Sequence, residues 1–115
     1  MTDITRIEAG PRMSQAVVHN GIVYLAGQVA KGADTKAQTQ AILAQIDSLL
    51  AQAGSSKSRL LTAQIWLANI ADFGAMNEAW EAWVDKANTP ARATGEVKLA
   101  APEYTVEIIV TAAVG

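Results

Sequence analysis

The pair Asn20-Gly21, set between two apolar runs rich in β-branched residues, constrains the fold of this chain more than any other local feature. The runs cover residues 16–19 and 22–26. Asparagine and glycine both tolerate the positive φ that a two-residue turn requires, so the pair predicts an antiparallel hairpin within residues 14–30. The second run is apolar throughout, which predicts a strand covered on both faces.

Residues 34–53 have the three- and four-residue spacing of an amphipathic helix that lies on a sheet. Asp34 or Thr35 is the predicted N-cap, and Gly54 ends the helix. The apolar stripe of this helix consists of Ile42, Ile46, Leu49, Leu50 and Ala53.

A second helix is predicted to start at Asp72 as its N-cap and to end in residues 86–90, because proline disfavours a helical residue before it. Its apolar side consists of Phe73, Met76, Trp80 and Trp83. We interpret Trp80 and Trp83 as core residues, since tryptophans at this spacing are more often core than a stacking platform.

Three more segments are predicted strands. Residues 61–68 alternate, with Leu61, Ala63, Ile65 and Leu67 on one face, and residues 92–99 and 104–114 form the last two strands. The 115 residues fit one domain, 1–115, of the α+β class with two helices on one face of a sheet. The other face then needs a cover, and 50% of the residues are hydrophobic, so we expect the chain to form an oligomer.

Composition and charge argue against several classes of protein. No apolar run approaches the ~20 residues of a membrane span, and the start of the chain lacks the layout of a secretion signal, so we expect a cytoplasmic protein. The absence of cysteine excludes a disulfide framework and a thiolate nucleophile. A net charge of -2 without a basic cluster argues against a nucleic-acid partner.

The common catalytic and cofactor motifs are missing. His19 is the only histidine and has no partner at metal-ligand spacing, so we interpret it as a turn residue and predict no metal site. The serines lack a G-x-S-x-G frame and the glycines form no nucleotide-binding motif. Glu78 and Glu81 have the helical spacing of a solvated face.

Arg92 is the most unusual charge, because it follows Pro90-Ala91 at the start of a predicted strand. A guanidinium can bind a carboxylate through two parallel hydrogen bonds, and a strand edge offers backbone N–H groups beside it. Thr94, two residues later, points its side chain the same way and could supply such an N–H. The alternative is a surface ion pair of Arg92 with Glu96 or Glu103, and local physics leaves both possibilities open.

The segment Pro90-Ala91-Arg92-Ala93-Thr94 also resembles the C-terminal signature of the Rid family, known as YjgF or L-PSP endoribonuclease-like proteins. Further matches are Lys98, Ala100, Val106-Glu107-Ile108, Asn20-Gly21-Ile22-Val23-Tyr24, Gly27-Gln28, Gly54-Ser55 and Asp72-Phe73. The run Ala75-Met76-Asn77-Glu78-Ala79-Trp80-Glu81-Ala82-Trp83-Val84 is similar to the YoaB-like branch of that family.

The resemblance implies a chorismate-mutase-like fold with a mixed sheet, and a homotrimer whose sheets form a barrel-like core with three clefts between subunits. It also implies a hydrolase that converts 2-enamino and 2-imino acids to 2-oxo acids and ammonia without a cofactor. By the same resemblance, Arg92 holds the substrate carboxylate, the backbone N–H of Thr94 assists, and the backbone carbonyl of Gly27 contacts the imine nitrogen.

Several positions depart from the family pattern that the resemblance brings. Met13, preceded by Arg12, stands where deaminases of the family carry a tyrosine, and Ala26 stands where they carry a serine. Ile109 stands where they carry a water-orienting glutamate, so three polar groups are expected to be missing from the cleft. The apolar position after Thr94 is Gly95, which loosens that strand.

Three functions follow from these features. The first is a cytoplasmic imine deaminase, with Arg12 as a second cation in the pocket. The second is a trimer that binds a carboxylate metabolite without turnover, which the missing polar groups favour. The third is the ribonuclease activity in the family's other name, which ranks last because the chain has neither paired histidines nor a basic groove.

Overall fold

A six-stranded sheet forms the frame of the molecule, and the computed structural model describes residues 3–115 of it. The strands are β1 (Thr5–Ala9), β2 (Ser14–His19), β3 (Ile22–Leu25), β4 (Leu60–Leu67), β5 (Ala91–Glu96) and β6 (Val106–Ala113). Their order across the sheet is β1-β2-β3-β6-β4-β5. Only β4 and β5 are parallel neighbours, so the sheet is mixed. Met1 and Thr2, part of the segment inspected for a secretion signal, lie outside the described residues.

The predicted hairpin is confirmed. Asn20 and Gly21 have φ values of 53° and 77°, and His19 pairs with Ile22 across the two-residue turn. The prediction that β3 is covered on both faces is wrong for the single chain. Val23 is fully buried but Tyr24 is 47% exposed, because both helices lie on the same side of the sheet.

Both predicted helices are present, as α1 (Thr35–Gln52) and α2 (Phe73–Trp83). The side chain of Asp34 accepts a hydrogen bond from the backbone N–H of Ala37 at 2.8 Å, so Asp34 is the N-cap. Gly54 follows α1 with a φ of 78°, the left-handed conformation that ends a helix at little cost when the residue is glycine.

One hydrophobic core lies between the helices and the sheet. Its fully buried side chains come from α1, α2, β3, β4 and β6, including Ile42, Leu43, Ile46, Leu50, Met76, Val23, Ile65, Leu67, Val106 and Ile108. Alternate residues of β4 and β6 face this core, so the remaining residues of those strands face the other side of the sheet.

The start of α2 differs from the prediction. Phe73 is 41% exposed and does not join the buried side of the helix. A short 3-10 turn, Ile70–Asp72, precedes α2. The carboxylate of Asp72 accepts a hydrogen bond from Thr35 Oγ1 at 3.0 Å and makes no capping bond to α2. Asp72 therefore ties the starts of the two helices together.

Strand β4 contains a bulge that alternation alone did not predict. Leu60 pairs with Ala112 and Thr62 with Thr111, so Leu61 is an extra residue without its own partner. Leu60 is only 6% exposed whereas Leu61 is 42% exposed. The assignment of Leu61 to the buried face is therefore wrong, and Leu60 takes that place.

The remaining differences concern strand ends. Strand β1 was not predicted, because Thr5–Ala9 is largely polar and exposed at the sheet edge. Strand β5 stops at Glu96, and β6 starts at Val106. The backbone N–H of Thr105 donates to the side-chain oxygen of Gln38 at 2.9 Å, which takes this donor out of the strand pairing.

The face of the sheet opposite the helices has no cover within residues 3–115. We call it the open face; Tyr24, Gln64, Trp66, Glu107, Ile109 and Thr111 lie on it. None of the helices in the described part of the chain is long and apolar enough to cross a membrane.

Candidate functional site

Arg92 lies on β5, at the edge of the sheet, on the face that carries the helices. It pairs with the buried Ala63, so its side chain points towards α2. Its Nη1 donates a hydrogen bond to Asn77 Oδ1 at 2.7 Å, and its guanidinium carbon lies 5.6 Å from the Trp80 ring centroid and 5.9 Å from that of Phe73. The guanidinium is therefore held by one amide and two aromatic rings.

Asn77 and Phe73 were missed as site residues, although the sequence holds a signal for them. Phe73, Asn77 and Trp80 follow each other at spacings of four and three, which places them on one side of a helix. The exposure of Phe73, which contradicted the core prediction, is explained by this position beside Arg92.

The alternative of an ion pair between Arg92 and Glu96 or Glu103 is wrong. The Arg92 hydrogen bond goes to Asn77, while Glu96 Oε1 accepts from the backbone N–H of Ile70 at 2.9 Å. Desolvation by burial lowers the pKa of Arg92, and the charge of Glu81 opposes this. A guanidinium stays protonated at neutral pH even so, which leaves a cation beside a cavity of about 380 Å³.

Thr94 supplies a backbone donor next to this cation. Val97 donates its N–H to Leu67 on β4, and the N–H groups of a strand alternate in direction, so that of Thr94 points to the free edge. Thr94 pairs with the buried Ile65, so its side chain lies on the same face as Arg92. Its hydroxyl is buried without a hydrogen-bond partner within residues 3–115.

Gly27 lies on the other half of the sheet, against Glu107 on the open face. A Cβ at Gly27 would overlap Glu107 Oε2, so a glycine is needed where this carboxyl group meets the backbone. The next residue, Gln28, exchanges backbone hydrogen bonds with Ile108 at 2.9 and 3.1 Å. Desolvation by burial raises the pKa of Glu107.

The expectation that the last strand lacks a carboxylate at this place is wrong. Ile109 lies on the open face opposite Gln64, but Glu107, two residues earlier, shares that face and pairs with Trp66. Period-two alternation in β6 was the signal that could have identified Glu107. Gly95 pairs with Trp66 from the other side, and nothing within 4 Å would meet a Cβ there.

The other predicted site residues lie towards the Gly27 half of the sheet. Met13 is 46% exposed and accepts a hydrogen bond from the Gly10 N–H at 2.8 Å through its backbone carbonyl. Arg12 is exposed. Ala26 is half-buried and donates its backbone N–H to Gln15 at 2.9 Å.

A single chain does not bring the two halves together. Neighbouring partners across the sheet run from Gln28 through Ile108 and Ile65 to Thr94, a span of three strand spacings or roughly 14 Å. Arg92 also lies on the helix face, whereas Glu107 lies on the open face. Residues 3–115 hold no cluster of three or more His, Cys, Asp or Glu side chains suited to a metal ion.

Comparisons with known proteins match the whole described chain. The family model for endoribonuclease L-PSP matches residues 3–114. A RutC family protein of Haemophilus ducreyi is 47% identical over 96% of this chain and 97% of its own length. The RutC family protein YoaB of Escherichia coli is 46% identical over 96% of this chain and 98% of its own length.

Solved structures give the same result. The crystal structure of NMB1025 from Neisseria meningitidis, a member of the YjgF protein family, superimposes with a TM-score of 0.96 at 45% identity and covers 98% of this chain and 96% of that one. Sequence and fold agree over nearly all of both chains. The chain therefore belongs to the Rid family, whose members are also named YjgF, RutC and endoribonuclease L-PSP, and to its YoaB-like branch.

Proposed function

We propose that this protein hydrolyses reactive 2-imino and 2-enamino acids to 2-oxo acids and ammonia, in clefts between the subunits of a homotrimer. The observation that carries the proposal is the Glu107 carboxyl group, which has a raised pKa and lies against Gly27. A carboxyl group whose pKa moves towards neutrality can both accept and donate a proton, as this hydrolysis requires.

The need for a neighbouring subunit follows from the geometry of one chain. Arg92 and Thr94 lie at the edge formed by β5, three strands from Gly27 and on the opposite face from Glu107. The open face, with Tyr24 and Trp66, has apolar surface that association would cover. In our proposal the β5 edge of one subunit meets the Gly27–Glu107 region of the next.

Binding of the substrate depends on its carboxylate. The Arg92 guanidinium and the Thr94 N–H both face the same edge and can donate to the two carboxylate oxygens. Asn77 is a positioning residue, since its hydrogen bond fixes the guanidinium that would touch the substrate. The Gly27 carbonyl accepts from the imine nitrogen, which sets the C=N bond beside Glu107.

The chemical step adds water to that bond. Glu107 as a carboxylate takes a proton from the attacking water while the oxygen bonds to the imine carbon. The resulting carbinolamine loses its C–N bond as Glu107 returns the proton to the leaving nitrogen, and ammonia and the 2-oxo acid are released. Orientation and a single acid–base group are sufficient because imines hydrolyse readily.

The decisive test generates 2-imino acids in place with an amino-acid oxidase and measures how fast the imine disappears by semicarbazide trapping. We expect the protein to speed the loss of imine, and Arg92→Ala to lower kcat/KM by about 100-fold, since a charge-assisted bidentate contact is lost. Arg59→Ala is the matched control, because Arg59 contacts only the backbone oxygen of Gly115. Equal rates with buffer, or with Arg92→Ala, would refute the deaminase.

Mixed trimers test whether the cleft is shared between subunits. Arg92→Ala and Glu107→Gln homotrimers are each expected to be inactive. After subunit exchange at equal amounts, about one quarter of the clefts would combine both native residues. Recovery of activity to that level supports the shared cleft, and no recovery after verified exchange contradicts it.

A carboxylate-binding trimer without turnover is the second candidate, favoured by the apolar Met13 and Ala26 where deaminases of the family carry hydroxyl groups. Thermal denaturation with 2-oxo acids distinguishes the two, because a bound ligand raises the melting temperature whether or not it is turned over. Stabilisation that needs Arg92, without accelerated imine loss, would establish this function in place of the deaminase.

A further inference from the structure

We propose that a second small-molecule site, specific for a primary ammonium group, lies on the helix side of the segment that follows β3. It is a cavity of about 380 Å³ between β1, α1 and that segment. The lining residues that matter are Glu8, Gln15, Gly27, Gln28, Gln45 and Ser48. This site is separate from the Glu107 site, because Gln45 and Ser48 belong to α1, which covers the opposite face of the sheet.

Gln28 provides a buried acceptor for the site. The residue is only 6% exposed, and its Nε2 donates to Gln15 Oε1 and to the Ala26 carbonyl, both at 3.0 Å. These two bonds use both protons of the amide nitrogen. The side-chain oxygen of Gln28 has no partner within residues 3–115, and a buried amide oxygen without a partner is costly unless a ligand or water supplies a donor.

Glu8 provides the charge. Its φ of 50° is a left-handed conformation that is strained for any residue with a Cβ, and such strain is found at ligand sites more often than elsewhere. One carboxylate oxygen, Oε2, accepts from Gln52 Nε2 at 2.8 Å, which draws the carboxylate towards α1. The other oxygen is free to accept at the cavity.

Charge and hydrogen bonding together select the ligand. Glu8 is the only charged side chain that lines the cavity, so anions are repelled and cations are attracted. Carboxylate and amide oxygens accept hydrogen bonds, and an ammonium group offers three donors and no acceptor. A primary ammonium compound of a few carbons therefore fits both the sign of the charge and the acceptors present.

The test uses three probes with the same carbon chain: butylamine, butyramide and butyrate. We expect titration calorimetry to give butylamine a Kd about tenfold lower than that of butyramide, with no binding of butyrate. Glu8→Gln should abolish the tenfold preference. Glu103→Gln is the matched control, because Glu103 is exposed and does not line the cavity.

The location is tested separately by NMR. Butylamine should shift the side-chain amide signals of Gln28 and Gln45, and Gln45→Ala should weaken binding. Equal affinities for the three probes, or a butylamine preference that survives Glu8→Gln, would overturn the proposal.

The outcome is independent of the deaminase proposal. Arg92→Ala, which we expect to lose turnover, should retain butylamine binding with an unchanged Kd. Loss of butylamine binding in Arg92→Ala would place the amine in the reaction cleft and overturn the second site, whereas inactive wild-type protein that still binds butylamine would refute only the deaminase.

Discussion

The Arg92 region and the Glu107 region handle their charges in opposite ways. Arg92 is held by side chains of α2, through an amide oxygen at 2.7 Å and two aromatic rings, and these partners favour the charged form. Glu107 lies against the backbone of Gly27, where desolvation raises its pKa and favours the neutral form. One region is suited to bind a fixed charge and the other to exchange a proton.

This difference explains why one region is sensitive to side chains and the other to backbone space. The Arg92 region can lose a neighbour and keep its cation, since the guanidinium stays protonated regardless. The Glu107 region depends on the absence of a single Cβ at Gly27. Substitutions should therefore divide into those that alter KM and those that alter kcat or the fold.

The largest effect should come from Glu107→Gln, which keeps the shape of the side chain and removes its acid–base function. We expect kcat for imine hydrolysis to fall by about 100-fold with little change in KM. Steady-state kinetics with an enzymatically generated imine measures this, with Glu103→Gln as control. A rise in KM at constant kcat would show that both regions serve only in binding.

Gly27→Ala should cost stability, because its Cβ would overlap the Glu107 carboxyl group. We expect the free energy of unfolding to drop by about 1–3 kcal/mol, as overpacking does in other sites. The loss should largely disappear in a Glu107→Ala background, which a double-mutant cycle of denaturant unfolding would measure. Gly74→Ala is the control, since nothing within 4 Å would meet its Cβ; additive effects of the two changes would contradict the contact.

Asn77→Ala should have a smaller effect that is confined to binding. Without its hydrogen bond, the guanidinium is less well oriented, and we expect KM to rise about fivefold, equivalent to roughly 1 kcal/mol, at nearly constant kcat. Asn88→Ala is a suitable comparison, because Asn88 bonds only to Asp85 in the turn after α2. An equal fall in kcat for Asn77→Ala would assign it a role in the chemical step.

The smallest effect concerns pH and stability. Since the pKa of Glu107 is raised in the folded protein above its ordinary value of 4.5, the folded state binds this proton more tightly than the unfolded state. Its contribution is present below pH 4.5 and is lost as pH rises through the raised pKa. Glu107→Gln should flatten this decline by less than about 1 kcal/mol, given the solvent screening of a half-buried group. Unfolding curves at fixed protein concentration would show it, and parallel curves for both proteins would argue against a raised pKa.

Local patterns in the sequence predicted most of the frame. The Asn20-Gly21 hairpin, the Asp34 cap, the Gly54 stop and both helices are present because each depends on neighbouring residues only. The bulge at Leu61 and the edge strand β1 were not predictable in this way. Both depend on pairing with distant strands, which the period of a single segment does not reveal.

The candidate site was predicted unevenly for the same reason. Arg92 stood out by its position after Pro90, and the alternation from Arg92 to Thr94 correctly placed both on one face. The role of Asn77 required knowledge of which helix face meets β5. Glu107 was passed over in favour of Ile109, because only the tertiary contact with Gly27 shows which of the two residues on that face meets the backbone.

The position of β6 has a consequence for how the protein is made. It is the last strand in the chain, yet it lies between β3 and β4 and joins the β1–β3 meander to the β4–α2–β5 unit. During synthesis the two halves therefore wait, each with an open strand edge, until residues 106–113 leave the ribosome. A stalled or truncated chain that lacks this strand would present two sticky edges, so chaperones that shield nascent β-strands should matter more for this protein than its small size suggests.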